Sequence, residues 1–397
     1  MDRKLIFLVT HFLAGPVFAA EPLMVSVKQG THTMKPADSA RPNLSADGRF
    51  VAFESGARLL LEDRNKIKDI YIFDRASGQL RRPVMPNQTR RNGGPYLSDN
   101  GRTLAFHSYA DLGQKPVVPL NSDIGFLDKD SGAVHWPVKD KLGKEPDGES
   151  FFPRLDSIGE SLLFSSNSTD FGSQSGFTQI YLLDPRRRGI TLISQNASGR
   201  AADRPCGAPR MSADMDRAAF LSAATNFFPA LPIDNSAFHL YWVDRTVGTP
   251  IRIDVFERGF DPTDNMVGAF DMDASGEILV FEARRRDLQD PFKTLASVDL
   301  YLYDRDVDCV KLLTTGLFAG KSRHPSLSAD GRYLTFILND GGGVAVHDRV
   351  TDRWQKVAEG FCDGAVLSRD GRIIAFERRD KSSKNIYVVE NSLYEAP

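Results

Sequence analysis

Seven residues of this chain each stand one place before a recurring apolar residue: Asn43, Tyr96, Arg154, Arg210, Asp271, Ser326 and Val366. Their recurrence predicts equivalent places in a repeated unit, near a common central channel. Arg154 and Arg210 are the two with most chemistry to offer, because a guanidinium fork matches carboxylate and phosphate bidentately. Arg41 and His324 lie on the approach to two of these positions, and a long connection carries Arg284 and Arg285. The candidate ligand-binding set is therefore Arg41, Arg154, Arg210, Asp271, Arg284, Arg285 and His324. A plainer reading competes with it: Arg154 and Arg210 pair with Asp271 and line a water-filled channel, since structural ion pairs imitate functional sites. Pairing of both arginines with Asp271 is the expectation.

No motif assigns a reaction. The chain contains no Gly-x-Ser-x-Gly elbow, no Gly-rich phosphate loop and no His-Glu-x-x-His. Past residue 20, His32, His107, His135, His239, His324 and His347 are too scattered to suggest a metal site. No catalytic residue, metal or cofactor is expected. His107 directly follows a recurring Phe and reads as a satisfied wall residue. The turns typified by Ser45-Ala46-Asp47-Gly48-Arg49 lack the further carboxylates of a calcium loop. Their Ser and Asp are expected to hold the turn through backbone hydrogen bonds.

The elements that must position these residues are β-strands. The recurring apolar residue is Leu44, Leu97, Leu155, Met211, Met272, Leu327 and Leu367, and nine residues after each comes a Phe, from Phe53 to Phe376. Between them stands Asp-Gly or a relative, a hairpin signal because Gly tolerates positive φ. The fourth copy has Asp214-Met215 instead, which predicts a different turn. A third segment recurs as Ile70-Tyr71-Ile72-Phe73-Asp74 and its counterparts, and a fourth follows a polar turn. Four antiparallel strands per repeat define one propeller blade, so the fold class is all-β, a seven-bladed β-propeller of four-stranded blades.

Blade seven has no fourth strand of its own, and Leu23 to Val27 lies ahead of the first repeat. This N-terminal strand is expected to complete the last blade, leaving few open edges. The connections from second to third strand are long in blades one to five and short in six and seven. Long loops on a rigid scaffold concentrate function, so the binding face is expected on that side of the ring.

The chain has 397 residues, with 50 Lys and Arg against 52 Asp and Glu. This near balance gives no footprint for nucleic acid. Residues 1–19 read as a secretory signal peptide, with Arg3 and Lys4 ahead of an apolar run too short to span a membrane. Residues 20–397 read as one β-propeller domain, exported and monomeric. Cys206, Cys309 and Cys362 are expected to be reduced thiols.

The repeat Pro42-x-Leu44-Ser45-x-Asp47-Gly48-Arg49-x-x-x-Phe53, followed by Ile70-Tyr71-x-x-Asp74, resembles the WD40-like repeat of the TolB-type periplasmic propellers. The resemblance covers residues 42–390 and implies an exported protein that docks other proteins across the ring face. Members of that family bind a peptidoglycan-associated lipoprotein and hijacking toxins. This chain has seven copies where TolB has six, and no room between Ala20 and Arg41 for the TolB α/β domain. Similar repeats occur in propellers attached to serine peptidases and in some pectin-degrading lyases. The expected function is a non-enzymatic binding or scaffold module that engages a protein or peptide partner on the long-loop face. The alternative is a hydrolase or lyase acting on a carbohydrate or anionic small molecule at the channel mouth.

Overall fold

The computed structural model describes residues 6–7, 20–27, 38–65, 67–83, 91–109, 121–173, 175–187, 189–227, 237–254, 267–284, 298–314, 322–338, 342–381 and 383–396. Its strands form seven sheets, each holding four antiparallel strands in the order the sequence predicts. The innermost strands are Ser39–Leu44, Asn92–Leu97, Ser150–Leu155, Cys206–Met211, Val267–Met272, Ser322–Leu327 and Cys362–Leu367. Their channel-facing edges carry the site residues.

The second and third strands of a blade are covered on both faces by neighbouring blades. They are therefore apolar throughout rather than alternating, as in the buried runs Leu162–Ser166 and Tyr333–Leu338. The recurring Phe lies opposite a Tyr of the third strand in five blades, and in four of them the rings stack, as Phe53–Tyr71 at 5.8 Å and Phe281–Tyr301 at 5.7 Å. Blades two and six have Gly125 and Ala345 opposite Phe106 and Phe336. There a tryptophan fills the volume: Trp136 packs edge-on to Phe106 at 5.9 Å, and Trp354 to Phe336 at 5.4 Å. A Cβ on Gly125 would sit 2.7 Å from the Phe106 ring, so the small residue and the tryptophan require one another.

The ring closes through the N-terminal strand. Leu23–Met24 pairs antiparallel with the outer strand of blade seven, Leu23 opposite Val388 and Met24 opposite Tyr387. The Val25 amide continues the ladder to the Ile386 carbonyl at 2.9 Å, and the Ser26 hydroxyl accepts the Ile386 N–H at 2.9 Å. Ile6–Phe7 runs parallel to Lys311 and Leu312 at the edge of blade five. The remainder of the leader reading at 1–19 lies outside the described residues. No helix among the described residues is long and apolar enough to cross a membrane.

The tight turns are built as the repeat suggests. In blade one Ser45 Oγ donates to Asp47 Oδ1, which accepts the Arg49 N–H, while Ser45 Oγ accepts the Phe50 N–H. The expectation of a different turn at Asp214-Met215 is wrong. Met215 adopts the left-handed conformation, φ 65°, and its N–H reaches the Ser212 carbonyl as Gly48 reaches Ser45. The buried Met215 side chain and the Ser212–Asp214 clamp offset the strain. The turns also bond to each other around the ring, Ala46 N–H to Asp99 O, Asn100 N–H to Ser157 O and Asp370 N–H to Ala46 O among them. The three cysteines are free and buried.

Candidate functional site: the channel and its mouth

A β-bulge interrupts every innermost strand where it meets the second strand, between Ala40 and Asn43 in blade one and at the equivalent step in the other six. The bulged backbone passes through the left-handed region at Arg41, Gly94, Phe152, Ala208, His324 and Gly364, with φ of 50° to 58°. For the non-glycine residues this costs on the order of 1 kcal/mol each. A proline follows in five blades, as Pro42 and Pro325 illustrate, which is allowed because bulged edge strands need no donor there. The bulge turns Arg41, Phe152 and His324 onto the long-connection face, where they rim a cavity of about 490 Å³.

All seven axial positions line this cavity, with Arg41 and His324. Beyond Arg154 and Arg210 it narrows to a small pocket of about 40 Å³ beside the tight turns. Arg284 belongs to the second strand of blade five, paired with Val298. Arg285 lies outside the described residues.

Three axial residues clamp one blade to the next. Asn43 Oδ1 accepts the Leu97 N–H at 2.6 Å, Asp271 Oδ2 the Leu327 N–H at 2.9 Å, and Ser326 Oγ the Leu367 N–H at 3.1 Å. At the mouth the acid after the recurring Phe does the same for the bulge. Glu377 accepts the Arg41 N–H at 2.8 Å, Glu54 the Gly94 N–H at 3.3 Å, and Glu282 the His324 N–H at 2.9 Å. These glutamates were missed by the sequence reading, although three of seven copies place Glu after the Phe.

Nearly every charge lining the cavity has an opposite partner. Arg210 Nε meets Asp271 Oδ1 at 2.9 Å, Arg369 meets Asp99 at 3.8 Å, Arg41 meets Glu54 at 3.7 Å, and Lys384 meets Glu377. His324 Nδ1 lies 2.7 Å from Asp363 Oδ1, a charge-assisted contact. The Asp363 carboxylate holds the His324 imidazole above its ordinary value against burial, and His324 lowers Asp363 in return.

Arg154 is the exception, and it corrects the expectation that both arginines pair with Asp271. It has no carboxylate partner among the described residues. Its Nη1 donates to the Pro153 carbonyl at 3.2 Å, its guanidinium lies 4.8 Å from the Tyr96 ring centroid, and its buried Nε has no partner. Burial, with the Arg210 charge added, pushes Arg154 down to about 9. Since arginine stays protonated in proteins, the depression reports how little its surroundings compensate the cation. His107 departs from expectation too: its buried Nδ1 finds no partner, and burial pushes it down to about 4.

No protein-family model matches the chain, and no curated protein does. Solved structures define the class: a β-propeller. The chain is similar to an oligogalacturonate lyase in complex with manganese, 12% identical, TM-score 0.62, over 90% of this chain and 91% of that one. It is similar also to an oligogalacturonate lyase from Vibrio parahaemolyticus, 12% identical, TM-score 0.61, over 100% of both chains. The propeller domain of a trilobed protease from Pyrococcus furiosus aligns at 13% identity and TM-score 0.57, over 91% of this chain and 99% of that one. At these identities the likeness is one of fold. Among the described residues no group of three or more His, Cys, Asp or Glu could hold a metal ion.

Proposed function

We propose that this protein is a β-propeller binding module that takes a peptide segment of a partner protein into the channel mouth on its long-connection face. The observation that supports this reading most is the cavity of about 490 Å³, open on that face and lined by charged side chains, most of them in ion pairs. Charged groups at a rim give register and selectivity where a partner presents complementary charges. A hydrolase or lyase would gain support from a metal cluster or from several perturbed acids converging on one point. Phe152, 42% exposed at the rim, adds an apolar contact for a side chain of the partner.

A photo-crosslinking side chain at Phe152, with a second at Ile158 on the tight-turn face as comparison, tests the reading in extracts of the native source. Ile158 is 46% exposed, so the two probes are equally reachable. The expected result is a discrete protein adduct from position 152 and none from 158. Adducts from 158 alone, or equal labelling from both, would move the binding face elsewhere.

A further inference from the structure

Arg210 and Arg154 occupy equivalent positions in adjacent blades and share one conformation: each donates Nη1 to the carbonyl of the preceding proline, Pro209 at 3.1 Å and Pro153 at 3.2 Å. Arg210 Nε then donates to Asp271, one blade further on, at 2.9 Å. The residue one blade on from Arg154 is Arg210 itself, so no carboxylate answers its Nε. The edge of Arg154 formed by Nε and Nη2 is thus left without an acceptor among the described residues, and that edge suits a bidentate carboxylate.

The backbone around Arg154 is also rich in donors. The N–H of the residue after the recurring apolar one turns to the second strand, as Asp156 to Ser161, Ser212 to Arg217 and Asp273 to Ile278. The N–H groups of Leu155, Met211 and Met272 therefore point the other way, toward the channel. Asn43, Asp271 and Ser326 accept the corresponding N–H in other junctions. Tyr96, Arg154 and Arg210 accept none in these three, and arginine has no acceptor to offer. One sector of the channel thus combines an unpaired guanidinium with inward-facing amides, immediately above the point where it narrows.

We propose that Arg154 is a carboxylate anchor: a ligand entering from the mouth places a carboxylate against the Arg154 guanidinium, in the role that one oxygen of Asp271 plays for Arg210. Resting on the reading above, that group is the terminal carboxylate of a peptide. Tyr96 holds the guanidinium plane, and the narrowing beyond Arg154 stops the chain end there.

The test measures retention of a random pentapeptide pool by the full-length protein, with free C-terminal carboxylates or with the same termini amidated. An oligogalacturonate of three units serves as a non-peptide carboxylate. Free-carboxylate peptides should be retained at least about 10-fold more strongly than their amides. Arg154→Gln should remove the preference, and Arg154→Lys, which keeps charge but loses the fork, should keep part of it. Unchanged melting of both variants separates lost binding from lost fold. Equal retention of acids and amides, a preference surviving in Arg154→Gln, or no retention of any carboxylate would overturn the anchor. Retention of the oligogalacturonate alone, dependent on Arg154, would uphold the anchor and overturn the peptide reading.

Discussion

Arg210 donates from Nε to Asp271 Oδ1 at 2.9 Å across the seam between blades four and five. Asp271 turns its other oxygen to the Ser326 hydroxyl and the Leu327 N–H in blade six, so one carboxylate ties three blades together. Both side chains are partly buried. Asp271→Ala strands a guanidinium beside Arg154 and orphans an inward amide. We expect a loss of about 2–4 kcal/mol in chemical denaturation; a change within about 0.5 kcal/mol would mean the tie is dispensable.

Arg154 shows the reverse balance. Arg154→Met removes a charge that no neighbour compensates and keeps much of the packing on Tyr96. Without ligand the variant should be as stable as the parent or more stable by about 1 kcal/mol. Calorimetry showing a clear drop in Tm would point to a partner for Arg154 within the fold.

The glycines of the tight turns differ in a testable way. Gly48 has φ +65°, and a Cβ there would lie 2.4 Å from Ile373 of the adjoining blade. Gly78 has φ +70° and nothing within 4 Å. Gly78→Ala should cost about 1 kcal/mol, the backbone term alone. Gly48→Ala should cost about 3 kcal/mol, because overpacking adds to it. Equal losses would show that the blades do not press on each other at this turn.

Closure depends on the strand around Val25, which is 1% exposed and packs with Phe53 and Val388. Val25→Ala should cost about 2 kcal/mol. Deleting residues 22–27 opens the ring and should lower Tm by roughly 10 °C. A truncated chain that melts like the parent would exclude this strand as the closing element.

The histidines make opposite contributions to the dependence of stability on pH. His324 sits above its ordinary value in the fold, so its contact with Asp363 stabilises below about pH 6.5 and fades as pH rises through the folded value. Asp363 is lowered, so its share is lost on further acidification. Both groups are more than a third exposed, which keeps the effect under about 1 kcal/mol. The stability gap between parent and His324→Gln should therefore be wider at pH 5.5 than at pH 8.5. His107, pushed down to about 4, takes its proton only in the unfolded chain between there and about pH 6.5. His107→Gln should flatten the acid limb; a limb of unchanged slope would show that His107 does not contribute to it.

The sequence alone determined the ring. Leu44, Phe53 and Tyr71 recur because every blade must bury the same two strands between the same neighbours, and the strand at Leu23 could be matched to blade seven by its place in the repeat. It also placed Arg154, Arg210 and Asp271 near the axis. What it could not give was which charges meet. Arg154 and Arg210 look alike in sequence; only the fold shows that an axial side chain reaches forward to the next blade, so that Arg210 meets Asp271 while Arg154 has only Arg210 ahead of it. The bulges at Arg41 and His324 and the glutamates that hold the mouth are likewise set by contacts between blades. Those contacts join residues roughly 40 or more positions apart, or the two ends of the chain, so no local pattern of residues encodes them.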